Sequence, residues 1–168
     1  MPRRIVGLMT AESSSSPASD RPQTLAYQGA ANRVVRGLLR VPLLSRAAGS
    51  RLVTLYIVGR KSGRRYTIPV AYTEQDGVLL IGTPFAWGRN LRTGEPVEIR
   101  LKGKRRPADV EVVSDEAGVI EQYAVIARDN RNFASFNKIG IGPDGTPDPA
   151  DLHRAWVAGA RVLRLTPR

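Results

Sequence analysis

A chain of 168 residues with 42% apolar and 24% charged side chains supports one globular core of ordinary composition. With no cysteine and a single histidine, His153, it excludes a disulfide scaffold, thiolate metal sites, a cysteine nucleophile and a histidine-based triad within one chain. The net charge of +11 is lopsided: residues 1–65 hold 12 Arg or Lys against Glu12 and Asp20, a surplus of ten that points to an anionic partner.

Residues 1–19, with Ser13–Ser16 and Pro17 in a row, read as a disordered tail, and 20–168 as a single domain. No window is apolar enough over its length to cross a bilayer, and Ile5–Met9 is too short for a secretory h-region, so the expected location is cytoplasmic. Asp20 and Gln23 have the spacing of a capping box. A helix over 21–40 follows, with Tyr27, Val34 and Leu38 on its apolar stripe and Arg33, Arg36 and Arg40 on the other side. Such a stripe more often packs on its own domain than on a membrane, although peripheral contact with the inner face of a membrane is the alternative.

From residue 51 to 113 the pattern changes to strands. Leu52–Val58 and Tyr66–Thr73 flank the turn Gly59–Arg65; Val78–Gly82 follows a turn at 74–77. A short helical segment spans Trp87–Leu91. Val97, Ile99 and Leu101 then alternate with charged residues, and the turn 102–104 leads into a partner strand over Ala108–Val113. Ser114-Asp-Glu opens a helix through Val119, Tyr123 and Ile126. Residues 129–147 read as loop, Asp148-Pro149 caps a helix to Ala158, and Val162–Leu165 reads as a last strand. The expected class is mainly β with helical decoration: about six antiparallel strands in a small barrel, with helices and the last strand over 115–166.

Two segments invite a chemical reading. Gly140-Ile-Gly142-Pro-Asp-Gly145 matches the spacing of a dinucleotide fingerprint but lacks the βαβ context, and Pro143 interrupts it. It is a glycine-rich turn. The turn Gly59-Arg60-Lys61-Ser62-Gly63-Arg64-Arg65 combines four cations, a hydroxyl and two glycines. Its N–H groups can form an anion nest, and its cations can make charge-assisted bonds to phosphate oxygens. The second basic tip, Lys102 to Arg106, reads as solvated, and His153 as a surface or capping residue.

Leu55-Tyr-Ile-Val-Gly-Arg-Lys-Ser-Gly63 followed by Thr67-Ile-Pro-Val70, and then Trp87-Gly-Arg-Asn-Leu91, resemble two signatures of the deazaflavin-dependent nitroreductases, in the same order and at near-equal spacing. The resemblance covers residues 50–113 and weakens through the terminal strand. It implies a split β-barrel that uses reduced coenzyme F-420 to reduce quinones or nitro-compounds. It further implies that Arg60, Lys61 and Ser62, in the turn closed by Gly63, hold the phosphate and acidic tail. Arg65 stands beside Tyr66, where the family often carries an arginine. Pro69 and Val70 would line the deazaflavin ring, Gly82 and Thr83 its polar edge, and Trp87 and Asn90 would close the site. The loop Pro84-Phe85-Ala86 is shorter than in many relatives. No metal is implied, since the coenzyme itself supplies the hydride. Tyr66, Tyr72 or water would supply the proton to the small-molecule acceptor.

Plainer readings stand beside these: Trp87 can plug one end of the barrel, and Tyr56, Tyr66 and Tyr72 are good strand formers. Three other functions fit the composition: an FMN-binding oxidoreductase on the same barrel, a non-catalytic lipid- or fatty-acid-binding barrel at a membrane, and a nucleic-acid-binding barrel. Against the last, only 6% of residues are aromatic and no stacking motif accompanies the basic tips, so no specific nucleic acid is expected. Monomer and homodimer are both left open.

Overall fold

The computed structural model describes residues 51–168. The expected tail 1–19 and helix 21–40, with Tyr27, Val34 and Leu38, lie outside the described residues. Seven strands form one antiparallel sheet: β1 (Leu52–Val58), β2 (Arg65–Ala71), β3 (Thr73–Gln75), β4 (Val78–Thr83), β5 (Val97–Leu101), β6 (Lys104–Val113) and β7 (Arg161–Pro167). Three helices follow β6: α1 (Glu116–Asp129), α2 (Arg131–Phe136) and α3 (Pro149–Val157). A 3-10 helical turn at Ala86–Asn90 joins β4 to β5. The chain is mainly β, as its alternating patterns require.

Seven strands replace the expected six because the stretch read as Tyr66–Thr73 divides. Tyr72 ends the pairing of β2 with β1, and Thr73 begins a separate strand paired with β4. The expected turn at 74–77 contracts to Asp76-Gly77, both at positive φ (51° and 78°). Lys102-Gly103 repeats that geometry at the β5–β6 hairpin (48° and 81°). Two consecutive left-handed residues give the tight turn whose twist matches antiparallel strands.

The strand order is β2-β1-β5-β6-β7-β4-β3, so β2 and β3 are opposite edges of the sheet. Yet only Tyr72 separates them in sequence. One residue spans only about 7 Å between its neighbours' Cα atoms, so the sheet must curl until its two edges meet at that corner. The result is a half-barrel. The corner is stitched by the Tyr72 N–H donating to the Arg51 carbonyl (3.2 Å), and by Arg51 and Thr73 both donating to Asp129 at the end of α1.

Curling creates two cores. Inside the curve, Val53, Leu55, Ile57, Leu79, Ile81, Ile99, Val110, Leu163 and Leu165 pack together, and Trp87 covers part of them. On the convex side of β4 and β7, Leu80 and Val162 meet Val119, Tyr123, Ile126 and Leu152 from the helices. Strands β4 and β7 therefore carry buried residues on both faces, β1 and β5 on one, and the edge strand β2 is only half-buried, through Ile68 and Val70. Helix α2 lies in the segment read as loop; Asn130, whose side chain accepts from the Phe133 N–H (3.0 Å), starts it with no periodic apolar stripe long enough to announce it. His153 is exposed on α3, and its Nδ1 lies 2.8 Å from Glu116. No described helix is long and apolar enough to cross a membrane.

Candidate functional site

The two sequence signatures meet through one side chain. Asn90, at the end of the 3-10 turn, accepts from the Arg60 N–H through Oδ1 (3.0 Å) and donates through Nδ2 to the Trp87 carbonyl (3.0 Å). The β1–β2 turn and the tryptophan turn are thereby held as one unit, although 30 residues separate Arg60 from Asn90.

The β1–β2 turn is tightly wound. Gly59 N–H donates to the Arg64 carbonyl and Gly63 N–H to the Gly59 carbonyl, both at 2.7 Å. Gly63 lies at φ +63°, which an L side chain adopts at a cost. A Cβ on Gly59 would sit 2.7 Å from Ser62 Oγ and 2.9 Å from the Tyr66 ring, so the turn closes only around glycine. Ser62 Oγ accepts from the Arg64 N–H (3.3 Å), which leaves its hydroxyl proton available to a ligand. Lys61, Ser62, Arg64 and Arg65 are exposed, and among the described residues Lys61, Arg64 and Arg65 form no ion pair. Arg60 is different: its guanidinium lies 3.6 Å from Glu95.

Beside this turn a cleft of about 190 Å³ opens between the end of β1 and the start of β5, lined by Ile57, Val58, Asn90, Leu91, Glu95 and Val97 among others. Pockets that enclose a whole small ligand run to roughly 300–1,000 Å³, so this cleft takes part of one. Tyr66, opposite Ile57 on β2, is 38% exposed, with its ring against Gly59.

The remaining sequence-derived candidates fall elsewhere. In register, Tyr66, Ile68 and Val70 oppose Ile57, Leu55 and Val53 and share the concave face, which places Pro69 on the opposite face from Val70. A single flat ring cannot rest on both side chains. Gly82 is a packing glycine: a Cβ there would meet the Phe133 ring at 2.5 Å and the Tyr123 ring at 3.0 Å. Thr83 is buried, and its hydroxyl accepts from the Phe85 N–H (3.1 Å). Tyr72 is 3% exposed within the main core, with no open face for a substrate. Thus Arg60, Lys61, Ser62, Gly63, Tyr66, Trp87 and Asn90 come together, while Gly82, Thr83 and Tyr72 are packed into the fold and Pro69 is exposed on the edge strand β2.

Sequence reasoning missed Glu95 and Leu91 as cleft residues. Gly94-Glu95-Pro96 carries a turn signal, but nothing local says that the turn folds back beside Arg60. Among the described residues no group of three or more His, Asp or Glu is arranged to hold a metal ion.

No protein-family model matches the sequence, and no curated protein sequence matches it. Among solved structures, the chain is similar to one described as an F-420-H2 dependent reductase, at 13% identity over 67% of this chain and 93% of that one, with a TM-score of 0.43. It is also similar to one described as an F-420 reductase, at 16% identity over 76% and 96%, with a TM-score of 0.41. A third, described as a domain-swapped dimer, shares 14% identity over 84% and 98%, with a TM-score of 0.44. Likeness at this level assigns no function, which must come from the chain's own residues.

Proposed function

We propose that the protein is an oxidoreductase that takes hydride from reduced coenzyme F-420 and delivers it to a small unsaturated acceptor such as a quinone or nitroaromatic. The observation that carries this reading is the Asn90 clamp, which presents an exposed cationic turn and a half-buried tryptophan as one rigid unit beside a cleft. The residues present fit an anionic, ring-bearing coenzyme. Lys61 and the Ser62 hydroxyl are free to hold phosphate oxygens, and Gly59 lets the turn that carries them close against Tyr66.

When bound, the coenzyme supplies the hydride; the chain positions and polarises. Lys61, Arg64 and Arg65 attract and fix the anionic portion. Ile57, Val58 and Leu91 exclude water along the apolar wall of the cleft. Tyr66, partly exposed next to the turn, is the protein proton donor of this reading, whereas Tyr72 lies inside the core.

The test is a titration of the purified protein with F-420 and, separately, FMN, followed by tryptophan fluorescence. Saturable micromolar binding of F-420 alone, with turnover of a quinone by its reduced form, is the expected result. Binding of FMN alone, or turnover with NADPH in protein free of F-420, would overturn it.

A further inference from the structure

A second cationic feature lies where β4, the 3-10 turn and β7 converge. Thr83 pairs with Arg161 in register, so both side chains project from the same face of the sheet, over Gly88. A Cβ on Gly88 would lie 2.8 Å from Thr83 Cγ2 and 3.6 Å from Arg161 Cδ, so the arginine stem runs across the bare glycine. The next residue, Arg89, extends towards Gly159, where a Cβ would be 3.7 Å from its Nη2. Gly159 is at φ +90°, which turns the chain sharply just before β7. The Arg161 stem and the Arg89 guanidinium thus lie along one corner floored by Gly88 and Gly159.

The contrast within β7 is informative. Arg164 meets Glu111 at 2.8 Å, and Arg168, just beyond the strand, meets Asp109. Arg161 and Arg89 form no ion pair among the described residues. Residues 1–50 hold only two carboxylates, Glu12 and Asp20. Partial burial and the neighbouring Arg89 charge hold the Arg161 guanidinium below its ordinary pKa. Two like charges near each other, one of them half-buried, raise the energy of the free protein and favour any anion that can sit between them.

We propose that Arg89 and Arg161 form a second oxyanion site, separate from the β1–β2 turn, that takes a phosphate or carboxylate group. Each planar fork can give two parallel N–H bonds to such a group. The site makes no use of the coenzyme reading and stands or falls without it.

The probe is inorganic phosphate, with citrate and acetate as the carboxylate arms, each titrated at constant ionic strength while thermal unfolding is followed. Wild type is expected to show a saturable rise in Tm of roughly 3 °C or more with one of the anions. Whether phosphate or the carboxylates act at lower concentration tells the two sources apart. Arg161→Gln should remove most of the rise while leaving the anion-free Tm equal or higher, since it removes an unpaired charge. Arg161→Lys, which keeps the charge but not the fork, should retain a weakened rise. Lys61→Ala, in the other cationic turn, should keep the part of the response that Arg161→Gln loses. A response lost in Lys61→Ala but kept in Arg161→Gln, or a wild type indifferent to all three anions, would overturn the proposal. So would a fall in the anion-free Tm of Arg161→Gln.

Discussion

Tyr123 combines complete burial with a hydroxyl that has no hydrogen-bond partner among the described residues. Its ring is well used: it meets Phe133 edge-on at 5.0 Å and closes over Gly82. An unpaired buried hydroxyl costs about 1–3 kcal/mol, so Tyr123→Phe should be neutral or stabilise by up to about 1 kcal/mol. Burial also pushes the phenol pKa above its ordinary 10.0. The sign follows: the associated stability is fully present below pH 10 and is lost above it, because the unfolded chain ionises first. Thermal melts from pH 8 to 11 should show a shallower alkaline decline in Tyr123→Phe than in wild type. An equal decline would mean that the hydroxyl is solvated after all. Neither the unpaired hydroxyl nor the role of Gly82 beneath it was legible in the sequence, because both depend on the Tyr123 and Phe133 rings, far along the chain from the glycine.

At the scale of elements, the corner where β2 passes into β3 decides whether the half-barrel stays curled. Arg51 donates to both oxygens of Asp129 (2.6 and 2.5 Å), and Thr73 Oγ1 donates to the same carboxylate (2.8 Å). Partial burial pushes the Asp129 carboxyl up, but the bonds from Arg51 and Thr73 outweigh it and hold the group below its ordinary value. Its contribution is present above the unfolded value near 3.8 and is lost as pH falls through the lower folded one. Asp129→Asn should therefore lower Tm at pH 7 and flatten its acid limb between pH 5 and 2. A variant with the wild-type acid limb would show that the corner does not depend on this carboxylate. The elements themselves were largely legible. Leu52–Val58 and Val97–Leu101 are strands with the bounds their alternation predicts, because a sheet buried on one face enforces period two. Helix α2 was not, since six residues held by an Asn cap and by packing against the other helices carry too little pattern. Nor was the break at Tyr72, which comes from the curl of the whole sheet rather than from any local breaker.

Across the whole molecule, paired cations are the minority among the described residues: Arg105, for one, lies 3.0 Å from Glu98 and stacks 4.2 Å over the Tyr56 ring. What sets the β1–β2 turn apart is that Lys61, Arg64 and Arg65, all without an ion pair among the described residues, stand within five positions of one another beside Arg60, which faces Glu95. The sequence located that turn because its cations, hydroxyl and glycines are contiguous. The partners that complete the site come from residues 87–97, and only folding brings them there. The candidates that lie apart from the turn share one feature: Pro69, Gly82 and Thr83 sit in strands, where the register, not the motif, decides which face a residue serves.

The claim that this turn holds an anionic coenzyme is tested most directly by comparing F-420 affinity in wild type, Lys61→Ala and Lys104→Ala across a salt series. Lys61 and Lys104 are both exposed at basic hairpin tips, but only Lys61 belongs to the unit tied down by Asn90. A charge-assisted bond to phosphate is worth about 1.5–3 kcal/mol, so Lys61→Ala should weaken binding roughly ten- to a hundred-fold with little change in Tm. Its affinity should also fall less steeply with salt than that of wild type, while Lys104→Ala should match wild type in both respects. Equal losses at Lys61 and Lys104 would reduce the attraction to a diffuse basic surface and contradict the account.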